Sequence, residues 1–151
     1  MNKWLALAIA LAVCYGAAAI GGQFRPGEWY VQLAKPSWNP PSSVFAPVWL
    51  VLYGMMAVAA WLVWQHPGRL RATALAAFAL QLALNIAWSW LFFGMERIDL
   101  ALIDIGLLWL AIAITLFLFW RVRAVAGALL VPYLLWVTFA SALNFAIWRL
   151  N

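Results

Sequence analysis

Five long apolar runs, separated by short polar stretches, make up almost the whole chain. They extend roughly over residues 4–24, 44–64, 71–93, 98–120 and 124–148. A helix needs about 20 residues to cross a bilayer, and each run is that long. The runs are continuous and lack the short alternating segments of a membrane β-barrel. The pattern therefore predicts an all-α membrane protein with five transmembrane helices.

The connections after the second, third and fourth runs are short: QHPGRLR, GMERID and RVRA. Such hairpins place consecutive helices antiparallel in one compact bundle, so residues 1–151 form a single membrane domain. The first run also resembles a secretion signal, because Lys3 precedes it, but its length favours a helix that is retained. Composition agrees, since 69% of the residues are hydrophobic and only 9% are charged.

The few charges exclude several classes of function. A net charge of +5 without a basic face does not suit nucleic-acid binding, and lipid headgroups are the simpler partners. One cysteine and one histidine provide no metal site, and no cofactor is required. Five cations fall on one side of the predicted membrane and four on the other, which weakly favours a cytoplasmic N-terminus. The first set is Lys3, Arg69, Arg71, Arg121 and Arg123, and the second is Arg25, Lys35, Arg97 and Arg149.

Polar and aromatic side chains form stripes along three of the helices. The spacing of each stripe puts its members on one helix face. Two interpretations are open: they join helices by packing and hydrogen bonds, or they line a ligand pocket. The stripes are Trp49, Tyr53 and Met56; Gln81, Asn85 and Trp88; and Trp136, Ala140, Leu143, Asn144 and Ile147.

Asp104 lies about two turns into the fourth run, where a carboxylate costs on the order of 3 kcal/mol. An ionisable residue at this depth is a functional candidate. The alternative is a carboxylate that is hydrated near the headgroups or paired with Arg97.

The loop before the second run contains KPSWNPP, residues 35–41. Its three prolines restrict the backbone, so the loop is predicted to be stiff and to act as a lid over a cavity. Trp29, Tyr30 and Trp38 would fold apolar area down onto the bundle. The alternative, that the prolines only start a helix at Ser42, does not explain Trp38.

Small residues recur every four positions in the first and third helices, which allows backbones to approach closely. They are Ala8, Ala12 and Gly16, and Ala79, Ala83 and Ala87. We expect these faces to form a homodimer contact.

The chain resembles the translocator protein family, also called tryptophan-rich sensory proteins or peripheral-type benzodiazepine receptors. The resemblance covers essentially the whole chain through WYVQLAKPSWNPP, APVWLVLYG, QLALNIAWSWLFFG, ALIDIGLL and PYLLWVTFASALNFAIWRLN. It implies a five-helix bundle whose cavity is closed by the first loop and binds porphyrins and other flat apolar molecules.

The resemblance also implies site residues and a location. Pocket tryptophans fall on Trp49 and Trp136, and the loop tryptophan falls on Trp38. The expected ligand-binding set is Trp38, Asn39, Trp49, Tyr53, Gln81, Asn85, Trp88, Asp104, Trp136, Ala140 and Leu143. A bacterial cell membrane is the expected location.

The expected function is a membrane binding protein or sensor for porphyrins. One alternative is an enzyme that degrades porphyrin with light and oxygen through Trp49 and Trp136. Another is a transporter of tetrapyrroles or sterols; inverted repeats and discontinuous helices would favour it, and the sequence indicates neither.

Overall fold

A computed structural model describes all 151 residues and contains helices but no strands. The helices are α1 (Lys3–Gly21), α2 (Glu28–Gln32), α3 (Phe45–Trp64), α4 (Arg71–Ser89), α5 (Ile98–Val122), α6 (Ala124–Leu129) and α7 (Val131–Leu150). A 3₁₀ turn, Ser42–Val44, leads into α3, and a π-helical turn, Trp90–Gly94, continues α4. Five segments are long and apolar enough to cross a membrane: Lys3–Gly21, Ser42–Trp64, Arg71–Gly94, Ile98–Val122 and Ala124–Leu150. The predicted helical class and the five spans are confirmed.

Local chemistry explains several helix ends. The Asn2 side chain accepts a 2.8 Å hydrogen bond from the Trp4 backbone N–H and so caps α1. Helical structure resumes at Ser42 directly after Pro41, as the helix-start interpretation of the prolines predicts. The first loop also contains the short helix α2.

The π-helical turn was not predicted. Its hydrogen bonds span more residues than α-helical bonds: the Met95 N–H donates to the Trp90 carbonyl at 2.8 Å, and the Arg97 N–H donates to Leu91 at 2.9 Å. Glu96 ends the turn with a positive φ of 56°. A Cβ at Gly94 would lie 3.0 Å from ring atoms of Phe24 and of Trp90, so glycine lets the first loop approach closely here.

The five spans close into a ring. α1 packs on α3 and α4, α5 packs on α4 and on the last span, and the last span returns to α3 through α6. We call the end of the bundle that contains Lys3, Trp64, Arg71 and Val122 the basic end, and the opposite end the loop end.

The last span is interrupted at Leu130, a discontinuity that the sequence analysis did not expect. Pro132 lacks an N–H and its ring disfavours a preceding α-helical turn, which accounts for the break. α6 packs on both α5 and α3, whereas α7 packs on α5 and has little contact with α3. Because α7 does not follow α6 along α3, space remains between α3 and α7 at the loop end.

Candidate functional site

A cavity of about 440 Å³ occupies the space between α3 and α7 at the loop end. This volume is within the range of about 300–1,000 Å³ that small-molecule sites usually have. Most of its lining residues are hydrophobic. From the transmembrane segments, the predicted site residues that line it are Trp49, Tyr53, Asn85, Trp88, Trp136, Ala140 and Leu143.

Two tryptophans that line the cavity contact each other edge to face. The Trp49 and Trp136 rings are 6.5 Å apart and nearly perpendicular, at 89°. Edge-to-face contacts with Phe45 and Tyr133, at 5.8 and 6.2 Å, hold the two indoles in place. The Trp136 Nε1 atom is buried and has no hydrogen-bond partner. An unpaired buried donor is costly, so this N–H would gain from an acceptor, but the atom has almost no accessible surface and an acceptor on a ligand could reach it only after the indole or a neighbour moved.

Asn85 belongs to a buried hydrogen-bonded chain that joins α4 to α7. Asn85 Nδ2 donates to the Tyr133 hydroxyl at 2.8 Å, and that hydroxyl donates to Gln81 Oε1 at 2.6 Å. Asn85 lines the cavity, but Gln81 is only 1% exposed and does not. Gln81 therefore lies behind the residues that line the cavity, and its hydrogen bond to Tyr133 fixes the orientation of Tyr133 and Asn85.

A second polar link lies closer to the loop. The Trp88 indole N–H donates to Asn144 Oδ1 at 2.9 Å, and Asn144 Nδ2 donates to the Ile98 carbonyl at 3.3 Å. These bonds connect α4, α7 and the start of α5. Trp88 and Asn144 both line the cavity, so the two interpretations of the polar stripes are compatible: the same residues join helices and face a pocket.

The first loop covers the cavity with an earlier segment than the proline-rich stretch. Phe24, Arg25, Pro26 and Tyr30 line the cavity. The Tyr30 ring packs edge-on against Phe92 of the π-helical turn, with centroids 6.2 Å apart. Partial burial raises the pKa of the Tyr30 hydroxyl above its usual value, so it is a neutral group at neutral pH.

Trp38 and Asn39 lie beside the cavity and do not line it. Trp38 is 48% exposed and packs edge-on against Phe139 of α7, with centroids 5.8 Å apart. Asn39 Oδ1 is buried without a hydrogen-bond partner.

The same loop is fastened to α7 by an amide pair. The Ala34 N–H donates to Asn151 Oδ1 at 3.1 Å, and Asn151 Nδ2 donates to the Ala34 carbonyl at 2.9 Å. The contacts of Trp38 and Asn151 together hold the proline-rich stretch against the end of α7.

The charged residues are distributed unevenly around the site. Arg25 is the only charged residue that lines the cavity, and it forms no ion pair. Asp104 is 7% exposed, does not line the cavity, and has an Oδ2 atom without a partner. The proposed pairing of Asp104 with Arg97 is wrong, because Arg97 binds the nearer Asp99 at 2.7 Å.

Two tyrosines were missed by the sequence analysis. Tyr133 precedes Trp136 by three residues and so shares its helix face, a signal that was present in the sequence. Tyr15 lines the cavity from α1, and its hydroxyl donates to the Leu50 carbonyl at 2.7 Å. A Cβ at Gly54 would lie 2.9 Å from that hydroxyl, so this glycine makes room for it.

Comparison with known proteins gives consistent matches over nearly the full length. The model of the TspO/MBR family matches residues 7–149. A tryptophan-rich sensory protein of Cereibacter sphaeroides is 44% identical over 148 residues, which cover 98% of this chain and 92% of the relative. The tryptophan-rich protein TspO of Chlorobaculum tepidum is 45% identical over 157 aligned positions, covering 100% and 99%. The translocator protein of Homo sapiens is 41% identical over 138 residues, covering 87% and 82%.

Proposed function

The chain belongs to the TspO/MBR family of membrane sensor and translocator proteins, and from that premise we propose that it is a receptor for porphyrins or similar flat apolar molecules. The ligand occupies the cavity at the loop end. The protein lies in a bacterial cell membrane, in line with the bacterial relatives that match the chain over most of its length.

The paired tryptophans are the observation that carries this proposal. Trp49 and Trp136 present aromatic surface to one apolar cavity, and Asn85, Asn144 and Arg25 add a few polar groups to its lining. Flat conjugated ligands stack on indole rings, and a few polar groups in an apolar pocket fix their orientation. The cavity contains both features.

Arg25 refines the class of ligand. A lone cation at the rim of an apolar cavity favours a ligand whose ring system carries an acidic group, because a guanidinium binds a carboxylate in a bidentate manner. The two propionate groups of protoporphyrin meet this requirement, and its dimethyl ester does not.

The tryptophan pair also supports a second candidate, a porphyrin-degrading activity driven by light and oxygen. Two indoles in contact with one pigment are groups that a photo-excited pigment can oxidise. No acid–base or nucleophilic constellation lines the cavity, so any breakdown would depend on the pigment's own photochemistry.

A titration of the purified protein with protoporphyrin, in darkness and in light, tests the proposal. We expect saturable binding of intact pigment in darkness and weaker binding of the dimethyl ester. The Trp49→Phe, Trp136→Phe double variant keeps aromatic faces, so affinity falls only about fivefold for each ring, or about 1 kcal/mol. Absence of saturable binding in darkness would refute the receptor.

The light arm of the same titration separates the two candidates. If the protein is a receptor, the pigment is lost in light no faster with the protein than without it. An enzyme that acts through the indoles breaks the pigment down, and the double variant at saturating pigment loses that activity. Breakdown at an unchanged rate in the double variant would exclude a tryptophan-mediated mechanism.

A further inference from the structure

A second hollow lies at the basic end, on the other side of the membrane from the cavity. It is a cleft of about 180 Å³ between α1, α3 and α4, and every residue that lines it is hydrophobic. Its lining includes Ala6, Ala10 and Cys14 of α1, Trp61 and Trp64 of α3, and Phe78 of α4. The volume is below the usual range of pockets for ring-bearing ligands. A cleft of this size and composition suits a single hydrocarbon chain.

The two tryptophans that line the cleft are hydrogen-bonded to Lys3 and Arg71. The Trp61 indole N–H donates to the Lys3 carbonyl at 2.8 Å, and Arg71 donates to the Trp64 carbonyl at 3.0 Å. The Lys3 ammonium lies 4.9 Å from the ring centre of Trp4, which stacks on Trp61. Lys3, at the start of α1, and Arg71, at the start of α4, are thus next to the lining residues of the cleft, although neither lines it. Neither forms an ion pair with an acidic side chain.

The whole basic end lacks acidic residues. Its cations are Lys3, Arg69, Arg71, Arg121 and Arg123, whereas Glu28, Glu96 and Asp99 lie at the loop end and Asp104 lies within α5. An anionic headgroup at the rim of the cleft would thus meet positive charge without any acidic side chain to repel it.

We propose that this cleft is a binding site for an anionic phospholipid. One acyl chain occupies the apolar cleft, and the phosphate lies between Lys3 and Arg71 at the level of the headgroups. Burial of its apolar surface retains the acyl chain, and the two cations favour an anionic headgroup over a zwitterionic one. Neither the cavity at the loop end nor its ligand enters this inference.

Native mass spectrometry of the detergent-purified protein tests the site with three probes. Phosphatidylglycerol is compared with phosphatidylcholine of the same acyl chains and with glycerol 3-phosphate, which has a headgroup but no chain. We expect phosphatidylglycerol to bind about thirtyfold more tightly than phosphatidylcholine, since each cation contributes about 1 kcal/mol. Glycerol 3-phosphate is expected not to bind.

Three variants assign the binding to the cleft. Lys3→Gln with Arg71→Gln should reduce phosphatidylglycerol affinity to that of phosphatidylcholine. Ala10→Phe should weaken both lipids by filling the cleft, and Ala6→Leu is the milder filling variant if Ala10→Phe does not fold. Arg121→Gln with Arg123→Gln is the matched control: it removes the same charge at the same end, from the end of α5 and the residue that follows it, and α5 contributes no residue to the cleft.

The proposal is overturned by any of three results. Equal affinities of the wild type for the two phospholipids would remove the headgroup selection. An equal loss in the Arg121, Arg123 control would show that the attraction is diffuse. Unchanged lipid binding in folded cleft-filling variants would place the acyl chain elsewhere.

Discussion

At the scale of single residues, helical spacing predicted which side chains share a face but not which partner each one finds. Asn85 and Trp88 were placed on one face of their helix, and both line the cavity. Gln81 shares that face but bonds to Tyr133, and spacing within α4 carries no information about a hydroxyl on α7. The unpaired N–H of Trp136 was equally beyond prediction, because it depends on what all the neighbouring helices leave unfilled.

Replacement of Tyr133 by Phe should destabilise the protein by about 1–2 kcal/mol. The substitution removes the hydroxyl that joins Asn85 to Gln81 and leaves a buried donor and a buried acceptor without partners. Thermal unfolding in detergent measures the loss. Tyr15→Phe is the control, since that hydroxyl makes one bond, to a helix carbonyl, and should cost less. Equal unfolding midpoints for wild type and Tyr133→Phe would contradict the prediction.

At the scale of elements, long apolar runs gave the helices and their approximate ends. Short irregular elements were not predicted, namely α2, the π-helical turn and the break at Leu130. Each depends on local backbone geometry or on contact with another segment. At Gly94, for example, the absence of a side chain lets the Phe24 ring pack against the π-helical turn. Pro132 was visible in the sequence, but a proline near a helix start is also compatible with an unbroken span.

The sequence predicts a lid in the proline-rich stretch, whereas in the structure this stretch lies outside the cavity lining and packs on α7. That contact leads to a prediction about ligand release. Trp38→Ala removes the contact with Phe139 that holds this stretch against α7, so porphyrin should leave faster while its entry changes less. Stopped-flow fluorescence gives both rates. Trp148→Ala, an exposed tryptophan on α7 that does not line the cavity, is the matched control. Identical release rates for wild type and Trp38→Ala would leave the stretch as a helix initiator only.

The small-residue faces lead to a prediction about assembly. Ala8, Ala12 and Gly16 on α1 and Ala79 and Ala83 on α4 are exposed in the single chain, so these faces are available for a homodimer contact. Ala83→Leu should lower the dimer fraction in detergent, measured by light scattering, without a change in helical circular dichroism. A dimer that persists when both Ala12 and Ala83 are enlarged would place the contact elsewhere.

At the scale of the whole molecule, composition and the spacing of the runs were sufficient for the single five-helix bundle, because a bilayer permits few alternatives. The order in which the spans pack around the ring could not be predicted from the sequence, since all five are apolar around most of their circumference. The position of the cavity depends on that order and on the divergence of α7 from α3.

The excess of positive charge at the basic end predicts a cytoplasmic location for that end and for the N-terminus. In a Cys14→Ser background, single cysteines at Gln23 and at Gly68 would report the two sides. A membrane-impermeant thiol reagent applied to intact cells should label Gln23→Cys and spare Gly68→Cys until the cells are opened. Labelling of Gly68→Cys alone in intact cells would reverse the orientation.

Three helices, α1, α3 and α4, contribute residues to both hollows, and on α1 these residues are adjacent. Cys14 of α1 lines the cleft at the basic end, and the next residue, Tyr15, lines the cavity at the loop end. A shift of α1 that accommodates an occupant on one side changes the space on the other. Binding free energies are linked reciprocally, so a lipid that alters the affinity for pigment by some factor has its own affinity altered by the same factor. If the cleft binds a lipid and the cavity binds a pigment, as we propose, this shared wall would make the lipid composition of the membrane an allosteric input to pigment binding.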